Sequence, residues 1–176
     1  ARRYVWDRLV ADRVARAPLP PHGRIPNFAG ARTAAVRLFE VSPWREARAL
    51  KINPDTPQRA VRLLALQRGV RVYVPTPGLA GAFALRDPAR IPPGRYGEAA
   101  SRATQARWAQ PVALDELPVF DGIVAGSVAV TPDGRRCGKG AGYGDLEYAI
   151  LHELGHPPAP VATTVHDGQG GAEFPG

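Results

Sequence analysis

The sequence predicts an α/β fold: a three-layer open, mainly parallel sheet with helices on both faces, Rossmann-like in plan. Segments of strand character alternate with segments of helical spacing, and such alternation implies right-handed crossovers between parallel strands. One apolar stretch, Asp121-Gly-Ile-Val-Ala-Gly-Ser-Val-Ala-Val130, leads through a glycine-rich run into the helically spaced Asp145-Leu-Glu-Tyr-Ala-Ile-Leu-His-Glu-Leu154. With 176 residues, 44% of them hydrophobic, the chain can bury a sizeable core, and a single domain over 1–176 is expected.

Taken in order, residues 3–16 read as an amphipathic helix through Val5, Trp6, Leu9, Val10 and Val14. Pro18-Leu-Pro-Pro21 ends it in a loop running to Asn27, and Gly30 to Phe39 forms a second helix. Arg48 to Ile52 is a short strand. Asp55-Thr56 then caps a helix with Pro57 in its first position, which stops at Gly69. Val70 to Val74 is the next strand. The proline-rich stretch from Pro75 to Pro118 predicts loops, a weaker strand at Ala82 to Leu85 and a short helix near Gly97 to Trp108. Strand, glycine run, helix and a last strand at Val161 to Val165 complete the chain. Ligands of such sheets gather at the carboxyl ends of strands, which groups residues 75–79, 126–130 and 165–169 around one crevice.

The run Arg136-Cys-Gly-Lys-Gly-Ala-Gly-Tyr-Gly-Asp145 carries the functional expectation. It sits at a helix N-terminus, where exposed N–H groups and the positive dipole end attract an anion, and glycine lets the backbone approach closely. Arg136 and Lys139 add full charges. The spacing matches neither the P-loop nor the dinucleotide fingerprint, so a different nucleotide is favoured.

These residues resemble the ATP loop of the 5-formyltetrahydrofolate cyclo-ligase (5,10-methenyltetrahydrofolate synthetase) family, Arg-x-Gly-x-Gly-x-Gly-Tyr-Tyr-Asp. The matches are Arg136, Gly138, Gly140, Gly142, Tyr143 and Asp145, with Gly144 in place of the second Tyr and Leu146 where an Arg often follows. Arg24-Ile-Pro-Asn-Phe-Ala-Gly-Ala-Arg32 and the run from Gly138 to Leu151 look like a divergent branch, the methenyltetrahydrofolate synthetase domain-containing proteins. The resemblance extends through residues 51–58, 72–75 and 160–169.

The resemblance implies ATP-driven closure of 5-formyltetrahydrofolate to 5,10-methenyltetrahydrofolate, with ATP and Mg²⁺ as cofactors and a reduced folate as substrate. Arg136 and Lys139 would neutralise phosphates, the amides of Gly138, Gly140 and Gly142 would cradle them, and Asp145 would hold Mg²⁺. Tyr143 would pack on nucleotide or substrate, and Arg2 matches the arginine of the family's N-terminal basic helix, whose lysine would precede residue 1. Asn53, Asp55, Pro75 and His166 would contact substrate. Two further features depart from the family: Asp55 stands where its enzymes carry a longer Glu, and the segment after Gln169 lacks a final strand. A non-catalytic folate- or nucleotide-binding member is therefore the alternative.

A competing motif, His152-Glu-Leu-Gly-His156, satisfies H-E-x-x-H, but Pro157 and Pro158 break the helix there and a third ligand is missing at Ala162. Zinc hydrolysis is disfavoured on those grounds. The lone Cys137 excludes an internal disulfide and fits a reducing cytoplasm. No secretory signal or membrane-length apolar run is visible. The net charge of +7 is mostly dispersed arginine; with zero Met it fits a GC-rich genome, and nucleic acid is not the expected partner. Nothing in the pattern selects an oligomeric state.

Overall fold

The computed structural model describes residues 2–76, 82–140 and 143–171, with the side chains of residues 82 and 143–147 outside that description. Helix α1 (Arg2–Ala11) is followed by a small antiparallel pair, β1 (Ala15–Arg16) and β2 (Asn27–Phe28). Next come α2 (Ala31–Leu38), β3 (Ala49–Ile52), α3 (Arg59–Gln67) and β4 (Arg71–Pro75). After these, β5 (Ala82–Arg86), α4 (Tyr96–Ala100) and β6 (Gln110–Ala113) lead to β7 (Gly122–Ala125). The chain continues through β8 (Ala129–Val130), β9 (Arg136–Cys137), α5 (Tyr143–Glu153) and β10 (Val161–Thr163).

A six-stranded sheet of order β10-β7-β3-β4-β5-β6 forms the centre. Pairing is parallel from β10 to β4, and antiparallel from β4 to β5 and from β5 to β6. The mainly parallel, open α/β architecture is thus the one expected from the sequence. Parallel strands buried on both faces read as continuous apolar runs, and β7 (Gly-Ile-Val-Ala) is buried throughout.

The side-chain alternation of each strand sorts residues to two faces. Leu50, Ile52, Val72, Val74 and Val124 pack against Ala35 and Leu38 of α2 and Val61, Ala65 and Leu66 of α3. On the opposite face, Ala49, Tyr73, Phe83 and Ile123 pack with Phe120 and with Leu151 of α5. Helix α1 sets Val5 and Leu9 against Val128 and Ala129, beyond the end of β7. Register is pinned at the strand starts by Asp121, whose Oδ2 accepts from Arg48 N at 2.8 Å and Ala49 N at 3.0 Å.

Several boundaries differ from the sequence reading, each for a local reason. The first helix ends at Ala11 rather than residue 16, because Arg13 adopts a left-handed φ of 59°. Its N–H and that of Val14 then cap the carbonyls of Val10 and Leu9 at 3.0 and 3.1 Å. The single strand expected through Val130 divides: β7 belongs to the sheet, while β8 turns through Thr131-Pro-Asp-Gly134 to pair with β9. Gly97 to Trp108 holds α4 and a separate 3₁₀ turn, Gln105–Arg107, instead of one helix. The helix expected from Pro57 opens as a 3₁₀ turn, Thr56–Gln58, before α3. Strand β6 was not expected, and β10 ends at Thr163. Among the described residues, no helix is long and apolar enough to cross a membrane.

Candidate functional site

The carboxyl ends of β3, β7 and β10 open on one side of the sheet, and the β8–β9 hairpin folds back over them. Returning along β9, Arg136 donates from Nε to Ser127 Oγ at 3.0 Å and from Nη2 to the Gly126 carbonyl. Ser127 Oγ lies 2.7 Å from Thr163 Oγ1, which donates to Ala125 O at 2.8 Å. A hydroxyl has one proton, so Thr163 spends its own on Ala125 and accepts from Ser127. The chain Arg136 to Ser127 to Thr163 to Ala125 therefore has a fixed direction, and it ties the first residue of the glycine run to two core strands.

The glycine run starts where β9 ends. Arg2, from the first turn of α1, donates from Nε to the Gly138 carbonyl at 2.6 Å. At Gly140 φ is +103°, a backbone conformation that side chains disfavour, and a Cβ there would lie 3.8 Å from Arg2 Cζ. Lys139 is exposed. Arg2, Arg136, Gly138 and Gly140 thus converge ahead of α5. Gly142 lies outside the described residues, and the side chains of Tyr143 and Asp145 lie there too, although both residues belong to the first turn of α5.

Asp55 reaches this region from the loop after β3. A Cβ added to Gly126 would sit 2.8 Å from Asp55 Oδ2, 2.9 Å from Ile25 Cγ2 and 3.0 Å from Gln58 Oε1, so only glycine leaves space there. Burial pushes the Asp55 carboxyl above the usual aspartate range, while the positive charges of Lys139, Arg62 and Arg102 pull the other way. Gln58 is fully buried and donates to Thr164 Oγ1 at 3.1 Å, whereas its Oε1 has no hydrogen-bond partner among the described residues. Arg62 fixes the loop by donating from Nη1 to Asn53 O at 2.6 Å and Asp55 O at 3.0 Å, and from Nε to Ala100 O at 2.9 Å.

Beneath the hairpin lies a cavity of about 500 Å³, with Lys51, Asn53, Arg136, Tyr148 and Thr163 in its lining. Lys51 is 3% exposed on the central strand, and its Nζ donates to Asn53 Oδ1 at 3.3 Å. Sequence reasoning gave Lys51 no role of its own. The available signal was a lysine inside a four-residue strand, Ala-Leu-Lys-Ile, that is otherwise apolar and wholly buried. A buried ammonium beside a cavity is a strong attractor for anionic ligand groups.

Two expected residues lie elsewhere. Pro75 ends β4 and lines a smaller pocket on the other sheet face. His166 caps a 3₁₀ turn, Asp167–Gln169: its Nδ1 accepts from Gly168 N at 2.9 Å and its ring meets Phe28 edge-on at 6.2 Å. Gln169 in turn donates to Ser127 O at 2.8 Å and Val128 O at 3.2 Å, so this turn clasps the β7–β8 connection. The H-E-x-x-H stretch closes α5. Gly155, at φ +81°, donates to His152 O and His156 N donates to Leu151 O, the two bonds of a Schellman motif. His156 stacks on Phe120 at 6.5 Å. Among the described residues there is no group of three or more His, Cys, Asp or Glu side chains able to hold a metal.

The family model described as 5-formyltetrahydrofolate cyclo-ligase matches residues 3–175. Over 175 residues, 96% of this chain, it is 41% identical to a mouse protein named methenyltetrahydrofolate synthase domain-containing protein. The proteins of the same name from cattle and human are 39% and 37% identical over the same share of the chain. The chain spans 45 to 46% of the length of these relatives.

Proposed function

Because the chain belongs to the 5-formyltetrahydrofolate cyclo-ligase family, we propose that it uses ATP to cyclise 5-formyltetrahydrofolate to 5,10-methenyltetrahydrofolate, releasing ADP and phosphate. The observation that supports this reading best is the convergence of Arg2 and Arg136 on the glycine run ahead of α5, beside the cavity that holds Lys51.

The chemistry explains the need for such a site. A formyl oxygen on nitrogen is a poor leaving group. Transfer of the γ-phosphoryl breaks its bond to ADP and forms a bond to that oxygen. The neighbouring nitrogen then attacks the formyl carbon and gives up its proton, and the C–O bond breaks with departure of phosphate. Little covalent work falls to the protein, which must hold the reactants in line and screen developing charge.

Arg2, Arg136 and Lys139 fit the ATP phosphates, with the backbone of Gly138, Gly140 and Gly142 as the cradle. Arg136 is pre-oriented by Ser127 and Gly126, so little side-chain entropy remains to be lost on binding. Mg²⁺, for which Asp145 is the proposed ligand, would supply charge neutralisation between phosphates. Lys51 and Asn53 in the cavity, and Asp55 in the loop after β3, are the groups proposed to meet the folate.

Lys139→Ala tests the reading, because Lys139 is exposed and its loss leaves the core untouched. Turnover should fall by at least about a hundredfold, the order found when a charged group stabilising a transition state is removed, with the circular dichroism spectrum unchanged. Full turnover by the folded variant would refute the role. A second reading, binding of folate and nucleotide without turnover, is favoured by the short carboxylate of Asp55; saturable ATP binding with no product from the wild-type protein would select it.

A further inference from the structure

On the sheet face opposite the Lys51 cavity, a pocket of about 140 Å³ opens beside the carboxyl end of β4. Val74, Pro75 and Ala84 supply apolar wall, and Arg86, Arg102 and Gln105 supply polar groups. Arg86 is 2% exposed. Its Nη1 donates to Ala84 O at 3.0 Å, but the buried Nε has no acceptor among the described residues. Leaving a buried donor unmatched is unfavourable, the more so for a charged group, so its presence in a pocket wall points to an acceptor from outside the chain.

The surrounding charge agrees. Among the described residues no Asp or Glu lines this pocket. Behind it lies Arg62, 3% exposed and close enough to feel Arg86, with its hydrogen bonds directed to the carbonyls of Asn53, Asp55 and Ala100. Burial draws the pKa of Arg62 down to about 9 and that of Arg86 to about 10, so both stay charged at neutral pH. Asp55 acts on Arg62 and Arg102 but also faces Lys139 across the strand ends. One half-buried carboxylate shared in this way leaves the pocket with an excess of positive charge.

We propose that this pocket binds a carboxylate carried on a short apolar stem, with Arg86 Nε and the Arg102 guanidinium as its donors. A carboxylate is planar and accepts side-on from a guanidinium edge. Its stem would cover the Val74, Pro75 and Ala84 wall, which a bare inorganic oxyanion would leave wet. The site rests on its own geometry and not on the cyclisation reaction. The same groups would recognise a carboxylate of the folate reaching across the strand ends or a carboxylate of a separate small molecule.

The test is calorimetric titration of the whole chain with glutarate at constant ionic strength, with inorganic phosphate as the comparison. Saturable one-to-one binding is expected, weakened at least about tenfold by Arg102→Ala, the loss of one charge-assisted hydrogen bond, and unaffected by Lys139→Ala. Arg102 is exposed, so its variant reports binding without disturbing the core; Arg86→Gln should weaken glutarate further. Absence of saturable binding, equal binding of phosphate, or loss in Lys139→Ala rather than Arg102→Ala would overturn the proposal. Repeating the titration with 5-formyltetrahydrofolate present separates the sources: displacement assigns the site to the folate's own carboxylate, and unchanged glutarate binding assigns it to a separate ligand.

Discussion

Arg2 and Gly138 stand 136 positions apart, yet Arg2 Nε donates to the Gly138 carbonyl at 2.6 Å. That one bond ties the first turn of the chain to the glycine run and brings a guanidinium beside it. Arg2→Ala should raise the Kd for ATP by roughly 5- to 30-fold, corresponding to about 1–2 kcal/mol for a lost charge-assisted bond. Calorimetric titration with ATP checks it; the melting temperature should hardly move, because the bond is exposed.

Gly126 leaves no room for a side chain. Gly126→Ala would drive a methyl group to 2.8 Å from Asp55 Oδ2 and 2.9 Å from Ile25 Cγ2. Overpacking of this kind costs about 1–3 kcal/mol, and urea unfolding should show the midpoint falling by that free energy divided by an unchanged slope.

Asp55 supplies a pH dependence whose sign follows from its raised pKa. As pH climbs above the usual aspartate range, the unfolded chain loses a proton that the folded chain still holds, so this group lowers stability progressively until pH passes its folded pKa. Below the usual range both states are protonated and it contributes nothing. Asp55→Asn abolishes the titration, so the stability of the variant relative to wild type should increase as pH rises above the usual aspartate value of about 4 and level off once pH passes the folded pKa. Unfolding curves across that interval give the difference directly.

How far the sequence revealed this molecule can be judged from particular residues. The parallel strands were legible because residues buried on both faces leave long apolar runs, and Pro157 and Pro158 marked the break that follows α5. The position of the glycine run between a strand and a helix was legible too, because the flanking segments switch from β-rich to helical spacing. By contrast, the division of β7 from β8 was hidden: an apolar run through Val130 gives no sign that its last residues leave the sheet. Thr131-Pro-Asp-Gly134 carried the hairpin turn, with Thr131 N donating to Arg135 O at 2.9 Å. The end of α1 was invisible because Arg13, not glycine, takes the left-handed position. Lys51 escaped notice because one charge in a strand is usually solvated, and only the fold shows it buried over a cavity.

The directed chain from Arg136 through Ser127 and Thr163 predicts a response to loss of one hydroxyl. Thr163→Val removes the acceptor of Ser127 and the donor to Ala125 O. Stability should drop by about 1–3 kcal/mol, and ATP binding should weaken because Arg136 loses its fixed orientation. Thr163→Ser, which restores the hydroxyl, should recover both.

Lys51→Met keeps the buried aliphatic stem and deletes the charge. The protein should fold, with a melting temperature near that of wild type, while turnover falls by at least about tenfold for want of one charged contact. Unaltered turnover would remove Lys51 from the site.

The central claim is that the glycine run and its arginines serve ATP-dependent cyclisation. Its most direct test is the absorbance of 5,10-methenyltetrahydrofolate formed from 5-formyltetrahydrofolate by the purified chain, with and without Mg-ATP. Product formed at a rate proportional to protein, and only when Mg-ATP is present, is the predicted result. A folded protein that binds ATP and forms no product, or that forms product equally without ATP, would contradict it.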